Sequence, residues 1–301
     1  MSIQLGVVMD PIGSITTYKD TSFAMLLEAE RRNWTIHYIE QRDLFIRDGA
    51  PMSRTRFLSV EDQPDNWFSF GREQTIGLSE LDIILMRKDP PVDEAFIYAT
   101  QVLSLAEEQG VLVANRPNAL RNWNEKLSIT RYPHCCAPTM VDQDMQRINE
   151  FIQTHQKTVL KPLNGMGGLS VFVTHVDDPN RNVIIETVSQ HGRSKIMAQK
   201  YIPQISSGDK RILMVGGEPI PYALARIPKH GEGRANLAAG GSGVGIELSE
   251  RDHWICQEVK NDLLAAGLWF VGLDVIGDYL TEINVTSPTC VRELDNAFDL
   301  N

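Results

Sequence analysis

A strand–helix–strand unit near the N-terminus does most to limit the fold. Residues 5–9 are a short apolar run closed by Asp10-Pro11, and residues 35–39 are a second strand. Between them, at 21–32, Phe23, Leu26, Leu27 and Glu30 fall at helical spacing, with Arg31-Arg32 in the last turn. Two strands joined by one helix of this length form a βαβ crossover, the seed of a parallel sheet covered by helices. Residues 83–86, 95–109 and 111–114 repeat strand, helix, strand, with Gly110 as a C-cap. A hairpin built from 44–46, Asp48-Gly49 and 57–60 interrupts the pattern. A first α/β domain is therefore expected to close near residue 122.

The second half has a different rhythm. Residues 148–155 end a helix and 158–161 are a strand. Gly165-Met166-Gly167-Gly168 turns the chain into a strand at 171–173. Strand, glycine turn, strand is a hairpin rather than a strand-to-helix phosphate loop. Residues 211–215 and 220–226 form another hairpin around Gly216-Gly217. The stretch 228–245 is glycine-rich without apolar periodicity. A helix at 249–267 opens on a capping box of Ser249 and Asp252. Residues 270–276 and 280–285 make a last hairpin.

Composition excludes several functions. Among 301 residues, 29 Lys and Arg face 39 Asp and Glu, a formal charge of −10. That argues against nucleic-acid and anionic-membrane partners, though not against a small anionic ligand. No apolar run reaches the about 20 residues of a membrane span. Residues 1–8 lack the basic and apolar regions of a secretory signal. The four cysteines Cys135, Cys136, Cys256 and Cys290 show no CxxC spacing, so a reduced, cytoplasmic location is expected. No GxxxxGK[ST], GxGxxG after a strand, GxSxG or HExxH occurs.

Four groups of residues carry chemistry. Lys161 ends a strand before Gly165, Gly167, Gly168 and Ser170. That arrangement makes either an anion cradle of backbone N–H groups or a plain hairpin tip. Glu282 and Asn284, two apart on a strand, share a face. A three-residue loop Gly277-Asp278-Tyr279 would pair Ile276 with Leu280 and put Asp274 opposite Glu282; a two-residue loop would turn Asp274 to the other face. Three oxygen donors on one face suit Mg²⁺, and the alternative is a solvated polar face. Arg211, Arg226 and Arg234 supply guanidinium groups for a phosphoryl or carboxylate group. The glycine stretch 228–245 is a candidate lid, or a passive loop.

Taken in order, Lys126, Lys161 with its glycine hairpin, Gln199-Lys200-Tyr201-Ile202, Asp209 and the Asp274/Glu282/Asn284 set resemble the ATP-grasp fold. Within it the chain is similar to the bacterial glutathione synthetases. The likeness rests on Val8-Met9-Asp10-Pro11, Leu85–Pro91, Asn124-Glu125-Lys126-Leu127, Leu237–Gly241 and Leu280–Cys290. The resemblance implies a Rossmann-like N-terminal parallel-sheet domain (1–122), a central ATP-grasp lobe (123–200) and a C-terminal ATP-grasp lobe (201–301) with its lid at 228–245. It implies ATP-dependent ligation of glycine to γ-glutamylcysteine through an acyl phosphate. Lys126, Lys161 and the glycine hairpin would hold the phosphates, Gln199, Lys200, Tyr201 and Ile202 the adenine, and Asp209 the ribose. Arg211, Arg226, Arg234 and Asn236 would be catalytic. Asp274, Glu282 and Asn284 would bind two Mg²⁺ ions, replaceable by Mn²⁺. Arg87 and Asp10 would meet the substrate, and a homotetramer is expected. A D-alanine or glutamate ligase of the same fold would share the phosphate and metal sites and differ in the acceptor pocket; a non-catalytic nucleotide-binding protein would need no metal ligands. Asn164, where an Asp is frequent, and 131–138 depart from the family pattern. The chain's end at Asn301 leaves less room than a terminal helix is expected to take.

Overall fold

In the computed structural model of the protein, residues 2–228 and 242–300 are described. They form three sheets in chain order.

The first sheet holds β1 (Gln4–Val8), β2 (Thr35–Ile39), β3 (Leu44–Arg47), β4 (Ala50–Val60), β5 (Phe68–Gly77), β6 (Ile83–Met86) and β7 (Leu112–Ala114). The helices α1 (Thr21–Arg31), α2 (Glu94–Glu108) and α3 (Pro117–Asn122) belong with it. Strands β2, β1, β6 and β7 lie parallel in that order, as the crossovers require. Asp20 and Asp93 cap α1 and α2 by accepting from the Phe23 and Phe96 backbone N–H groups. The expected hairpin is larger than its apolar residues suggest. β4 begins at Ala50 and pairs with β5 as well as β3. β5 was not expected, because most of its residues are solvent-exposed and the run Gly71–Thr75 in its middle carries no apolar side chain.

The second sheet holds β8 (Thr139–Asp142), β9 (Lys157–Pro162), β10 (Phe172–His175) and β11 (Ile196–Lys200), in the order β10-β9-β11-β8, all antiparallel. α4 (Met145–His155) and α5 (Arg181–Val188) cover it. Their contact encloses a small core of its own around Ile148, Ile152, Leu160 and Ile185.

The third sheet holds β12 (Asp209–Val215), β13 (Glu218–Ile227), β14 (Ser242–Glu247), β15 (Phe270–Ile276) and β16 (Tyr279–Asn284), with α6 (Glu250–Ala266) and α7 (Val291–Phe298). Its order is β14-β13-β12-β15-β16. One expectation is corrected here. Residues 242–245 are not loop but the start of β14, paired with β13 at Arg226↔Gly243 and Leu224↔Gly245. Glycine suits this strand because a Cβ at Gly245 would collide with the Phe298 ring of α7, so bare backbone lets the helix pack close. On a point the sequence left open, a helix near the C-terminus, α7, forms with Leu294 fully buried. The rest of the expected lid, including Arg234 and Asn236, lies outside the described residues.

One core runs from the first sheet into the third. It joins Ile84, Phe96 and Leu103 through Leu120 and Trp123 to Ile212, Leu273 and Val259. Asn115 fastens this joint. Its amide donates to the Phe270 carbonyl (2.7 Å) and the Val285 carbonyl (2.8 Å), and its Oδ1 accepts from the Phe270 N–H (2.9 Å). Asn115→Ala would leave these buried backbone groups short of partners and should cost about 2–4 kcal/mol. Urea unfolding monitored by fluorescence measures it, and a loss within error would show that the joint rests on apolar contact alone.

Candidate active site

Register places the charged groups. β12 is flanked by β13 and β15, and pairing sets Asp209 opposite Arg226 and Arg211 opposite Asp274. Arg211 donates through Nε to Asp274 Oδ1 (2.5 Å) and through Nη2 to Oδ2 (3.0 Å). Arg226 donates to both oxygens of Asp209 (2.7 and 2.6 Å) and to Asp274 Oδ2 (2.8 Å). All four side chains are buried. Burial alone would raise the Asp274 pKa, but Arg211 and Arg226 outweigh it and hold the carboxyl well below the usual range. Asp209 is pushed up by burial and by Asp274, against the pull of Arg226.

The last hairpin brings Asp274 to the metal-candidate face by a different route from the one expected. Ile276 pairs with Tyr279 across a two-residue turn, Gly277-Asp278, and Val275 pairs with Leu280. On that register Asp274 would point away. A β-bulge then takes up Thr281, whose hydroxyl donates to the Asp274 carbonyl (3.0 Å), and restores Asp274↔Glu282. Asn284 pairs with Gly272 and gives its amide hydrogen to the Gly272 carbonyl (3.3 Å), leaving Oδ1 as the atom without that bond. Glu282 is 3.7 Å from Lys126 Nζ. Carboxylate and amide oxygens form the donor set of a hard divalent cation, so the residues fit one. Glu282 and Asn284 offer oxygen, whereas both oxygens of Asp274 are held by arginine.

A cleft of about 880 Å³, open to solvent, lies between the second and third sheets. Lys126, Lys161, Gly165, Gly167 and Gly168 line it, as do Gln199, Lys200, Tyr201, Ile202, Asp209, Asp274 and Glu282. Ser170 does not. Val159, Val171, Val173 and Ile276 give part of the wall an apolar surface suited to a flat ring. Lys161 and Gln199 sit on adjacent strands, and Lys161 Nζ donates to Gln199 Oε1 (3.2 Å). Burial pulls the Lys161 pKa down, against the carboxylate of Glu282. Lys126 Nζ reaches the glycine turn, donating to the Gly165 carbonyl (2.6 Å), and pairs with the Glu125 carboxylate. Burial opposes its charge, but Glu282 and Glu125 raise its pKa.

A second cavity of about 1700 Å³ adjoins the first, and Met166, Gly167 and Glu282 line both. Its walls come from the first sheet's loops (Asp10, Lys19, Lys88), from Arg211, Arg226 and Asn284, and from 286–290 with Glu293. Asp10 pairs with Lys88 (2.9 Å) and accepts from the Asp89 N–H (3.0 Å). Arg87 lines neither cavity. It is buried, donating to the Pro288 carbonyl (2.9 Å) and the Ser22 hydroxyl (3.1 Å), and burial lowers its pKa to about 10. Its position braces the 286–290 wall.

Sequence reasoning missed Glu125, Lys88, Lys19 and Glu293. A Glu-Lys doublet outside a periodic segment normally reads as solvated surface, and long-range contacts such as the hydrogen bond from the Ile283 N–H to the Glu125 carbonyl (2.8 Å) draw this one inward.

This two-lobed grip on a cleft is the ATP-grasp fold. D-cycloserine synthetase DcsG superposes with a TM-score of 0.63 at 14% identity, over 95% of this chain and 92% of that one. ATP-grasp ligase PsnB, in a complex with a phosphomimetic precursor variant, Mg and ADP, gives 0.62 at 14%, over 100% and 95%. Residues 3–121 match the prokaryotic glutathione synthetase N-terminal domain, and 125–299 match the prokaryotic glutathione synthetase ATP-grasp domain. Glutathione synthetase of Pseudomonas aeruginosa is 56% identical over 99% of this chain and 94% of that protein. Glutathione synthetase of Vibrio vulnificus strain YJ016 is 55% identical over 100% and 95%. The chain belongs to the prokaryotic glutathione synthetase family, and is an ATP-dependent ligase of glutathione synthesis.

Glu125 gives a pH test. Burial first, then the Glu282 carboxylate, pushes its carboxyl from 4.5 up to about 7, against Lys126. The folded chain therefore holds a proton there that the unfolded chain releases. The resulting stability is present below the ordinary glutamate range and is lost as pH rises to about 7. Without nucleotide or divalent cation, Glu125→Gln should reduce the stability drop between about pH 5 and pH 7.5 by about 1–3 kcal/mol. Urea titrations at the two pH values measure it, and an undiminished drop would exclude a raised Glu125 carboxyl.

Proposed function

We propose that ATP lies in the first cleft, with its base against the apolar wall and its phosphates toward Lys126 and Lys161, and that the dipeptide γ-glutamylcysteine lies in the second cavity. The observation that carries this is the shared wall of Gly167 and Glu282. A phosphoryl group leaving the first cleft meets the second at that point.

A carboxylate is a poor electrophile because oxide is a poor leaving group. In the first step a cysteinyl carboxylate oxygen attacks the γ-phosphorus, the O–P bond forms, and ADP leaves. In the second, the glycine nitrogen attacks the acyl carbon, phosphate leaves, and a proton is lost from nitrogen. Arg211 and Arg226 line the second cavity and carry permanent charge beside the acyl phosphate. Lys126 ties the glycine turn to the body of the protein through Gly165, so the turn can cover the phosphates. Water kept from the acyl phosphate is glycine's only competitor removed. Glu282 and Asn284, with Asp274 when an arginine turns to phosphate, would hold two Mg²⁺ ions, with Mn²⁺ able to replace them. These ions would neutralise phosphate oxygens. Asp209 lines the first cleft, where a ribose hydroxyl would compete for its Arg226-bound oxygens. Arg234 and Asn236 belong to the lid in this reading.

In this reading the chain is divided into three lobes, 1–122, 123–200 and 201–301, and the presence of one sheet in each supports it. The cysteines are free thiols, which supports a reducing, cytoplasmic setting. Among the described residues no helix is long and apolar enough to cross a membrane. The family resemblance supports a homotetramer.

ADP release should require ATP, a divalent cation, γ-glutamylcysteine and glycine together, and should not appear with D-alanine or glutamate as acceptors. Glu282→Gln should lower kcat at least about 100-fold while the unfolding midpoint stays near that of the parent. ADP release only with D-alanine would overturn the substrate assignment, and an active Glu282→Gln enzyme would overturn the metal assignment.

A further inference from the structure

The second cavity holds more charge than the phosphoryl chemistry uses. Most of that charge is already matched. Asp10 is paired with Lys88. Glu125 is paired with Lys126. Arg211 and Arg226 are committed to Asp274 and Asp209. Asp20 accepts from the Phe23 N–H as the cap of α1. Besides Asp20, three groups on this wall have no ion-pair partner among the described residues: Asp89, which is exposed to solvent, Glu293 in the first turn of α7, and Lys19 just before α1.

Glu293 is the most informative. Its Oε2 is buried and meets no hydrogen-bond donor. A buried carboxylate oxygen without a partner is costly in a folded protein, and a positive charge brought close to the carboxylate offsets that cost. Burial pushes its carboxyl up, and Lys19 is the first of the cations that pull it back. The side chain is not free to swing away. Thr21 Oγ1 accepts from the Val291 N–H (3.3 Å), Arg292 pairs with Asp62 (2.7 Å) and lies over the Phe23 ring, and Leu294 is buried. α7 is thereby pinned to α1, and Glu293 and Lys19 face one cavity. Neither lines the nucleotide cleft.

We propose that Glu293 and Lys19 form the subsite that reads the amino-acid end of the dipeptide substrate, Glu293 taking its α-ammonium and Lys19 its α-carboxylate. The inference rests on the ligase reading above and adds to it the residues that select a γ-glutamyl group. A zwitterionic head needs one anion and one cation on the same wall. Lys19 is the cation there without an ion pair, and of the anions without one Glu293 alone has a buried carboxylate oxygen with no donor, Asp89 being exposed to solvent and Asp20 capping α1. Glycine is a zwitterion too, but its nitrogen must be uncharged at the acyl carbon, so a buried carboxylate that keeps an ammonium charged does not serve it.

The test is steady-state ADP release with three donors. These are γ-glutamylcysteine, glutarylcysteine, which lacks only the α-ammonium, and 4-aminobutyrylcysteine, which lacks only the α-carboxylate. The parent should use both analogues roughly 10- to 100-fold less efficiently by kcat/KM, mainly through KM. Glu293→Gln should lose a similar factor with γ-glutamylcysteine and discriminate against glutarylcysteine by less than about threefold. Lys19→Met should do the same toward 4-aminobutyrylcysteine. A merely structural role would lower all donors together and leave the ratios intact. Parent enzyme that accepts glutarylcysteine as well as γ-glutamylcysteine, or a Glu293→Gln enzyme that still rejects it, overturns the proposal. Should Glu293→Gln not fold, as judged by ATP binding, the parent's ratios and the Lys19→Met ratio decide. Failure of the ligase reading looks different: the parent then releases no ADP with γ-glutamylcysteine and glycine.

Discussion

Asp274 sits buried between two arginines, and the site is organised around that contact. A carboxylate removed from water is tolerable only with its charge answered at close range. Here Arg211 and Arg226 answer it from adjoining strands, and Asp209 answers Arg226 in turn. The four charges cancel, so the third sheet can carry them in its interior. Two guanidinium groups are thereby stored, oriented and dry, on the wall of the cavity where an acyl phosphate would form. The same contact occupies both oxygens of a candidate metal ligand. In the proposed reaction phosphate and cation would arrive as a matched exchange, the anion drawing arginine away and the cation taking the carboxylate it leaves.

Much of this was legible in the chain. The βαβ rhythm, the capping box at Ser249 and the glycine hairpin after Lys161 depend on local spacing, and local spacing is what a sequence displays. Asp274, Glu282 and Asn284 were matched to one face, but the stated route was a three-residue loop. The molecule uses a shorter turn and a bulge at Thr281. Face assignments survive such exchanges because a turn one residue shorter and a strand one residue longer cancel. No pattern of apolar residues distinguishes the two.

The misses have physical causes. β5 has no apolar side chain from Gly71 to Thr75 and is largely exposed because it lies against only one neighbour. Residues 242–245 looked like loop because glycine there serves the approach of Phe298, a contact 53 residues away in the chain that spacing cannot show. Arg87, expected at the substrate, is buried and donates to the Pro288 carbonyl, a contact the sequence does not display, since a conspicuous cation near a strand end gives no sign of which carbonyl it will meet. Glu125 and Glu293 gained their character from burial, which belongs to the tertiary structure.

The apolar interior is continuous between the first and third sheets, while most of the second sheet's interior is separate. Two of the three parts thus share one interior, and the middle one keeps most of its own. In the proposed reaction a nucleotide would be the mortar between them, holding across the cleft surfaces that the apolar interior does not join, and its breakdown to smaller pieces would loosen that hold.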